Sequence, residues 1–153
     1  MNLNKVFYLI ITFLLSSNAF GQSEKILGSW KPFAVDNGEF YMNIKNDSIS
    51  LYKEFDYVRN DSLKIKQMKD VVSQIYFSQK HIFKENGKYI QDLFMANFEF
   101  DYKVDQSRNL ILTFENQFKN NKNALEIPYK LENNILYLEI PLTETVIKLW
   151  LKK

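Results

Sequence analysis

His81 is the residue of this chain best suited to chemistry near neutral pH, because imidazole titrates there and no other histidine occurs among the 153 residues. The chain has no cysteine, which excludes thiol nucleophiles, thiolate metal ligands and disulfides. No nucleophile elbow, phosphate-binding loop or dinucleotide fingerprint accompanies the histidine. Aspartate and glutamate alternate with apolar residues, which is typical of solvent-facing strand positions. We therefore predict a protein that is not an enzyme and holds no metal or cofactor.

His81 could instead belong to a binding site. Alternation places it and several other polar side chains on a face that is otherwise apolar and therefore predicted to be buried. In IYFSQKHIF, His81 and Gln79 share the parity of the apolar residues at 75, 77 and 83. Lys53 and Gln91 lie similarly among apolar neighbours, and Tyr102 belongs to the apolar set of FEFDYKVD. Facing inward, these five side chains would give an apolar pocket the few polar groups that small-molecule recognition needs. A β-bulge would instead turn them outward, and the sequence leaves both possibilities open.

Strands must position these side chains, and alternation with period two dominates the chain. Residues 98–105 show it most clearly, with four apolar side chains on one face and four charged side chains on the other. Short segments that contain Asn, Asp or Gly separate the predicted strands, and these residue types tolerate the positive φ of tight turns. The segments are 36–38, 45–47, 85–88, 106–109 and 133–134. Alternation assigns many aromatic rings to the inner face, namely Phe40, Phe77, Phe98, Phe100, Tyr102, Phe114 and Tyr129.

The segment 60–72 fits two structures. Leu63 and Ile65 fit a strand, whereas Met68, Val71, Val72 and Ile75 follow the spacing of one helix face. We prefer a short helix or flap between two strands.

The fold class that these patterns favour is all-β, a single antiparallel up-and-down β-barrel of about 8–10 strands with one short helix or flap. Consecutive hairpins favour a barrel, because closure removes the exposed edges that a series of short strands would otherwise leave. A two-sheet sandwich is the alternative, and it usually needs a long crossing connection.

The beginning and end of the barrel region resemble a known family. Leu27-Gly28-Ser29-Trp30-Lys31 resembles the G-x-W start of lipocalins, and more closely that of the lipocalin-like domains of small exported bacterial proteins; the final IKLWLKK resembles their basic last strand. The resemblance implies a calycin-type barrel in which Trp30 plugs the closed end beside Gly28. It also implies that Lys148 or Lys152 covers the indole by a cation–π contact, in place of the family's arginine. The family's fold implies a cup for a small apolar molecule.

Residues 1–21 have the features of a cleaved signal peptide. Lys5 precedes an apolar stretch over Val6–Leu15, and Ala19-Phe20-Gly21 supplies small residues before a cut at Gln22. A retained membrane anchor is the alternative, although a spanning helix needs about 20 apolar residues. We therefore expect an exported protein, periplasmic or secreted, whose barrel domain spans 22–153 and has no membrane span after cleavage.

Two functions fit this sequence. The first is a lipocalin-like protein that binds a small apolar or amphipathic molecule through the candidate residues Lys53, Gln79, His81, Gln91 and Tyr102. The alternative is a protein-interaction or inhibitor/immunity-type domain with a solid core, whose partner contacts loops or an outward aromatic patch of Tyr41, Tyr52 and Trp150. A net charge of +2 with scattered lysines excludes nucleic acid as a predicted partner.

Overall fold

The computed structural model describes residues 23–115 and 124–153; the predicted signal peptide lies outside them. A short helix α1 (Ser23–Ile26) precedes three strands, β1 (Gly28–Asp36), β2 (Phe40–Asn43) and β3 (Ser48–Leu51). A 3₁₀ turn (Lys53–Val58), helix α2 (Ser62–Val72) and a π-helical turn (Ser73–Phe77) follow. The other strands are β4 (Lys80–Phe83), β5 (Lys88–Leu93), β6 (Ala96–Asp105), β7 (Leu110–Glu115), β8 (Leu125–Glu132), β9 (Ile135–Pro141) and β10 (Val146–Lys152).

Eight of these strands close into an antiparallel barrel, which confirms the predicted fold class. The strands β4 to β10 pair in sequence order, and β1 joins the two ends of this series. The start of β1 pairs with β4, with Trp30 opposite His81, while its later part pairs with β10. The register between β1 and β10 shifts at Phe33, where a bulge reverses the alternation of β1.

The hairpin of β2 and β3 extends the sheet beside β1, and α2 crosses between β3 and β4. Asp61 caps α2 by accepting hydrogen bonds from the backbone N–H groups of Leu63 and Lys64 at 3.1 and 3.0 Å. The segment 60–72 is therefore helical from residue 62, as we preferred. Val72 is buried, whereas Val71 is exposed, so the predicted apolar face was only partly right.

The predicted turns are confirmed by their backbone angles. Gly38 and Gly87 have φ of 86° and 75°, which glycine adopts without steric cost. In the turn after β8, Asn133 and Asn134 both have positive φ, 50° and 60°, as the tightest hairpin turns require.

One end of the barrel, here called the α1 end, is closed around Trp30. The indole is 1% exposed, and its Nε1 donates a 2.6 Å hydrogen bond to the Ile26 carbonyl, which anchors α1 beneath the barrel. The ammonium of Lys153 lies 5.0 Å from the indole ring. Lys153 therefore takes the role that the resemblance gave to Lys148 or Lys152.

The far end of the barrel carries a rim of exposed apolar side chains. These belong to β6 and to the turns and strand starts at that end: Phe94, Met95, Phe98, Leu125, Leu142 and Val146. Phe98 shares the inner face of β6 with Phe100, and it is 47% exposed. The inner surface of the barrel thus reaches solvent at this end.

Candidate functional site in the barrel interior

Three polar side chains meet inside the barrel on β4 and β5. His81 is opposite Gln91 in the ladder, and Tyr89 lies on the same face two residues before Gln91. The Tyr89 hydroxyl is 2.6 Å from His81 Nδ1 and accepts a 2.9 Å hydrogen bond from the Gln91 amide. His81 and Tyr89 are each 1% exposed, so their contact is shielded from water, whereas Gln91 is half-buried.

The network leaves one ring nitrogen of His81 unused. Because the Tyr89 hydroxyl accepts from Gln91, it can donate its proton to Nδ1, which places the imidazole proton on Nε2. His81 Nε2 is buried and has no hydrogen-bond partner among the described residues. The Tyr129 hydroxyl on β8, also within the core, is buried and unpartnered in the same way.

Aromatic rings surround the polar network. Phe83, on β4, stacks on Tyr89 with ring centres 4.5 Å apart and planes 10° from parallel. Phe100, on β6, has its ring centre 6.1 Å from that of Tyr89. Tyr102 meets Phe83 edge-on at 5.3 Å. These contacts fix the orientation of the Tyr89 ring and hence of its hydroxyl.

Burial sets the charge state of the network. Desolvation lowers the pKa of His81 to about 4, so the imidazole is neutral at pH 7. Desolvation also raises the pKa of the Tyr89 phenol, with the Gln91 hydrogen bond opposing it. The site therefore offers neutral hydrogen-bonding groups in an apolar surrounding.

The structure brings together some of the predicted site residues and separates others. His81 and Gln91 belong to the network, and Tyr102 belongs to its aromatic surroundings; the ladder from β4 to β5 is regular, so no bulge turns His81 outward. Lys53 is exposed, because β3 ends at Leu51 and the chain turns into a 3₁₀ helix.

Gln79 also lies outside the network, in the loop before β4. Its side-chain amide donates to the Ile75 carbonyl at 2.8 Å. The inward positions predicted for Lys53 and Gln79 are wrong for one reason: alternation was extended past the ends of the strands.

Tyr89 is the residue of the network that sequence reasoning missed. Its hydroxyl makes it more than an apolar neighbour of Gln91, because a buried tyrosine needs a hydrogen-bond partner for that group. Tyr89 and Gln91 are two residues apart, so they point to the same face of one strand. The turn at 85–88 predicts that this strand pairs with the strand of His81, and this combination is the signal that identifies Tyr89.

Of the other two residues assigned to the plug, Gly28 lies beside it and Lys148 does not. Gly28 has a φ of +112°, and a methyl group placed there would lie 3.5 Å from the Lys153 side chain. Lys148 is on the outer face of β10, opposite Asp36 and Glu139. Gly28 thus borders the plug, and Lys148 does not.

A second feature is an aromatic cluster on the outer face of the barrel. Trp150 meets Tyr41 edge-on at 5.7 Å and Tyr137 at 5.1 Å. Trp150 and Tyr137 also line a groove of about 390 Å³ together with polar residues of β8. Tyr52, predicted for the same patch, is exposed and its hydroxyl donates to Asp36 at 3.1 Å.

Two kinds of site have no counterpart among the described residues. No cluster of three or more potential metal-ligating side chains occurs over 23–115 and 124–153. Within the same ranges, no helix combines the length and apolar character that crossing a membrane would require.

These features define a closed antiparallel barrel of eight strands. It is similar to the crystal structure of a DUF4847 family protein from Bacteroides vulgatus, with a TM-score of 0.51 and 16% identity over 83% of this chain and 95% of that one. Fatty-acid-binding protein 1 of Echinococcus granulosus aligns with a TM-score of 0.39 and 17% identity, over 85% of this chain and 98% of that one. No protein-family model and no curated protein sequence matches the chain. The likeness to the first of these structures is a likeness of fold.

Proposed function

We propose that this protein is an exported lipocalin-like protein that binds a small amphipathic molecule inside the barrel. The observation that carries the proposal is the pair of buried polar atoms, His81 Nε2 and the Tyr129 hydroxyl, that lack partners among the described residues. A buried polar group without a partner costs about 1–3 kcal/mol. A ligand that supplies a partner to one or both would recover this free energy on binding.

The surroundings of these atoms set the class of ligand. The network is neutral at pH 7 and enclosed by Phe83, Phe100 and Tyr102. An apolar body with one hydroxyl or carboxyl group suits such a site, because it buries apolar surface and pairs with the free nitrogen.

Access is proposed from the far end of the barrel. Phe98 is half exposed there and lies directly opposite Gln91 in the ladder between β5 and β6. An apolar molecule passing this rim would therefore meet Gln91, the first member of the polar network, at the level of Phe98. The α1 end is plugged by Trp30 and covered by Lys153, which directs entry to the far end.

Native mass spectrometry of protein purified from its own host tests the proposal. We expect a bound molecule of low mass that organic extraction removes and that rebinds to the extracted protein. Tyr129→Phe removes only the unpartnered hydroxyl, and it should weaken rebinding by about tenfold if the ligand pairs with that group. His81→Leu, assayed alongside, should weaken rebinding similarly if the ligand pairs with Nε2. Tyr137→Phe, which removes a hydroxyl on the outer face, is the matched control.

Two outcomes would contradict this proposal. The first is host-purified protein without any bound small molecule, together with no binding of hydroxylated or carboxylated amphiphiles. The second is rebinding that both interior variants leave unchanged.

Export is part of the proposal and has its own test. Cell fractionation should place the protein outside the cytoplasm. N-terminal sequencing should find Gln22 as the first residue of the mature chain. A chain that retains residues 1–21 in the cytoplasm would refute export while leaving ligand binding to be judged by the assays above.

A protein-interaction domain is the second candidate, and the outer aromatic cluster favours it. Trp150, Tyr41 and Tyr137 present rings on one face, and tryptophan and tyrosine are enriched at the centres of protein interfaces. Under this function, protein purified from its host carries a stoichiometric partner that Trp150→Ala releases. Release by Tyr129→Phe rather than Trp150→Ala would count against it.

A further inference from the structure

Three lysines meet on the outer face of the barrel near the α1 end. Lys31 on β1 lies directly opposite Lys152 on β10, and both side chains are exposed. Lys45, in the turn after β2, reaches the same place. The Ile44 N–H donates to the Phe33 carbonyl at 3.0 Å, which holds this turn against the bulge, and the Lys45 ammonium lies 3.3 Å from the centre of the Phe33 ring.

This arrangement places like charges side by side. Residues directly opposite on antiparallel strands have Cβ atoms about 4.5–5.5 Å apart, and like charges there destabilise the sheet. The neighbouring charge also affects Lys45, because desolvation and then its interaction with Lys152 lower the pKa of Lys45.

No carboxylate of residues 23–115 and 124–153 forms an ion pair with any of the three lysines. Within these residues, no ion pair therefore offsets the repulsion. A bound anion would supply one.

We propose that Lys31, Lys45 and Lys152 form a binding site for a phosphate or sulfate monoester group, distinct from the barrel interior. Such a group carries up to two negative charges and three terminal oxygens, which match three ammonium donors in charge-assisted hydrogen bonds. Phe33 and Trp150 flank the lysines with aromatic surface. The moiety that carries the ester can therefore rest on apolar atoms.

Titration with inorganic phosphate at low ionic strength, followed by ¹H–¹⁵N NMR spectra, tests the site. We expect saturable shifts at residues 31, 45 and 152, with chloride at matched ionic strength producing none. Lys152→Gln should weaken phosphate binding about tenfold, the loss of one charge-assisted hydrogen bond. Lys66→Gln, on the exposed surface of α2, should leave binding unchanged.

Thermal unfolding separates a binding site from a structural contact. Without phosphate, Lys152→Gln should raise the Tm because it relieves repulsion; with phosphate, the Tm of the wild type should rise and that of the variant should not. Vesicles that contain phosphatidic acid, whose headgroup is a phosphate monoester, identify the source of the group. Sedimentation with them that Lys152→Gln abolishes indicates a lipid headgroup, and phosphate binding without sedimentation indicates a soluble ester.

Three results would overturn the site. One is shifts that phosphate and chloride produce equally. Another is a loss of binding in Lys66→Gln as large as in Lys152→Gln. The last is a lower Tm for Lys152→Gln in phosphate-free buffer.

Discussion

Acidification should destabilise this protein through His81, and the size of the effect follows from its burial. The folded-state pKa of His81 is about 4, whereas an unfolded chain titrates histidine near 6.5. Between these values the unfolded state binds more protons than the folded state, so the free energy of unfolding falls as the pH falls. Above about pH 6.5 both states are neutral at this residue, and its contribution does not change.

The magnitude is worked from the gap between the two pKa values. The gap is about 2.5 pH units, and each unit corresponds to about 1.36 kcal/mol, so the loss amounts to roughly 3 kcal/mol between pH 6.5 and pH 4. A small domain has only about 5–15 kcal/mol of stability, so this loss is easily measured.

The assay is urea unfolding of ligand-free protein at pH 7, 6, 5 and 4. Because His81 is the only histidine, His81→Gln removes the whole histidine contribution to the slope. We expect the wild type to lose about 3 kcal/mol more than the variant over this range. Carboxylates titrate in both proteins, so their effect on stability cancels in the comparison. Hydrogen bonds from Ser107 and Arg108 lower the pKa of Asp105 to about 2, so its contribution to the free energy of unfolding is lost only below about pH 4. Parallel curves for the two proteins would refute the burial argument.

Three further predictions concern the closed end of the barrel and the cap of α2. Trp30→Ala should cost about 3–5 kcal/mol in urea unfolding, because it empties the plug and frees the Ile26 carbonyl, whereas Trp150→Ala on the outer face should cost clearly less; equal costs would contradict the plug. Gly28→Ala should cost about 1–2 kcal/mol, because its φ of +112° strains any residue with a Cβ; an unchanged urea midpoint would show that the backbone relaxes there. Asp61→Ala should cost about 1 kcal/mol and reduce helical circular dichroism, through loss of the cap, and a variant of unchanged stability would argue against that cap.

Strands that alternate between apolar and charged residues were predictable from the sequence. In β6, each inward apolar side chain is followed by an outward charge over residues 98–105, and the faces are assigned as predicted. The strand β7 differs, because both of its faces carry apolar side chains. Its register with β6 buries Ile111 and Thr113, and it turns Phe114 outward beneath Lys103, contrary to its predicted inner position.

The interior site was predictable only where strand limits were clear. His81 and Gln91 lie within the paired parts of β4 and β5, so their parity held. Lys53 begins the 3₁₀ turn, and Gln79 follows the π-helical turn by two residues. Alternation with period two does not assign faces in or beside such turns. The contact between Tyr89 and His81 needs the pairing of two strands, and a single sequence does not specify which atoms that pairing brings together.

The seam between β1 and β10 also governs the order of events when the chain is made. On the side facing β10, residues 31–36 pair with 148–152, more than 100 positions further along the chain. The barrel therefore closes only when β10 is in place, and the Trp30 indole gains the ammonium of Lys153 in the same step. Such distant pairing slows folding, because the entropy of bringing remote segments together is lost before their contacts form.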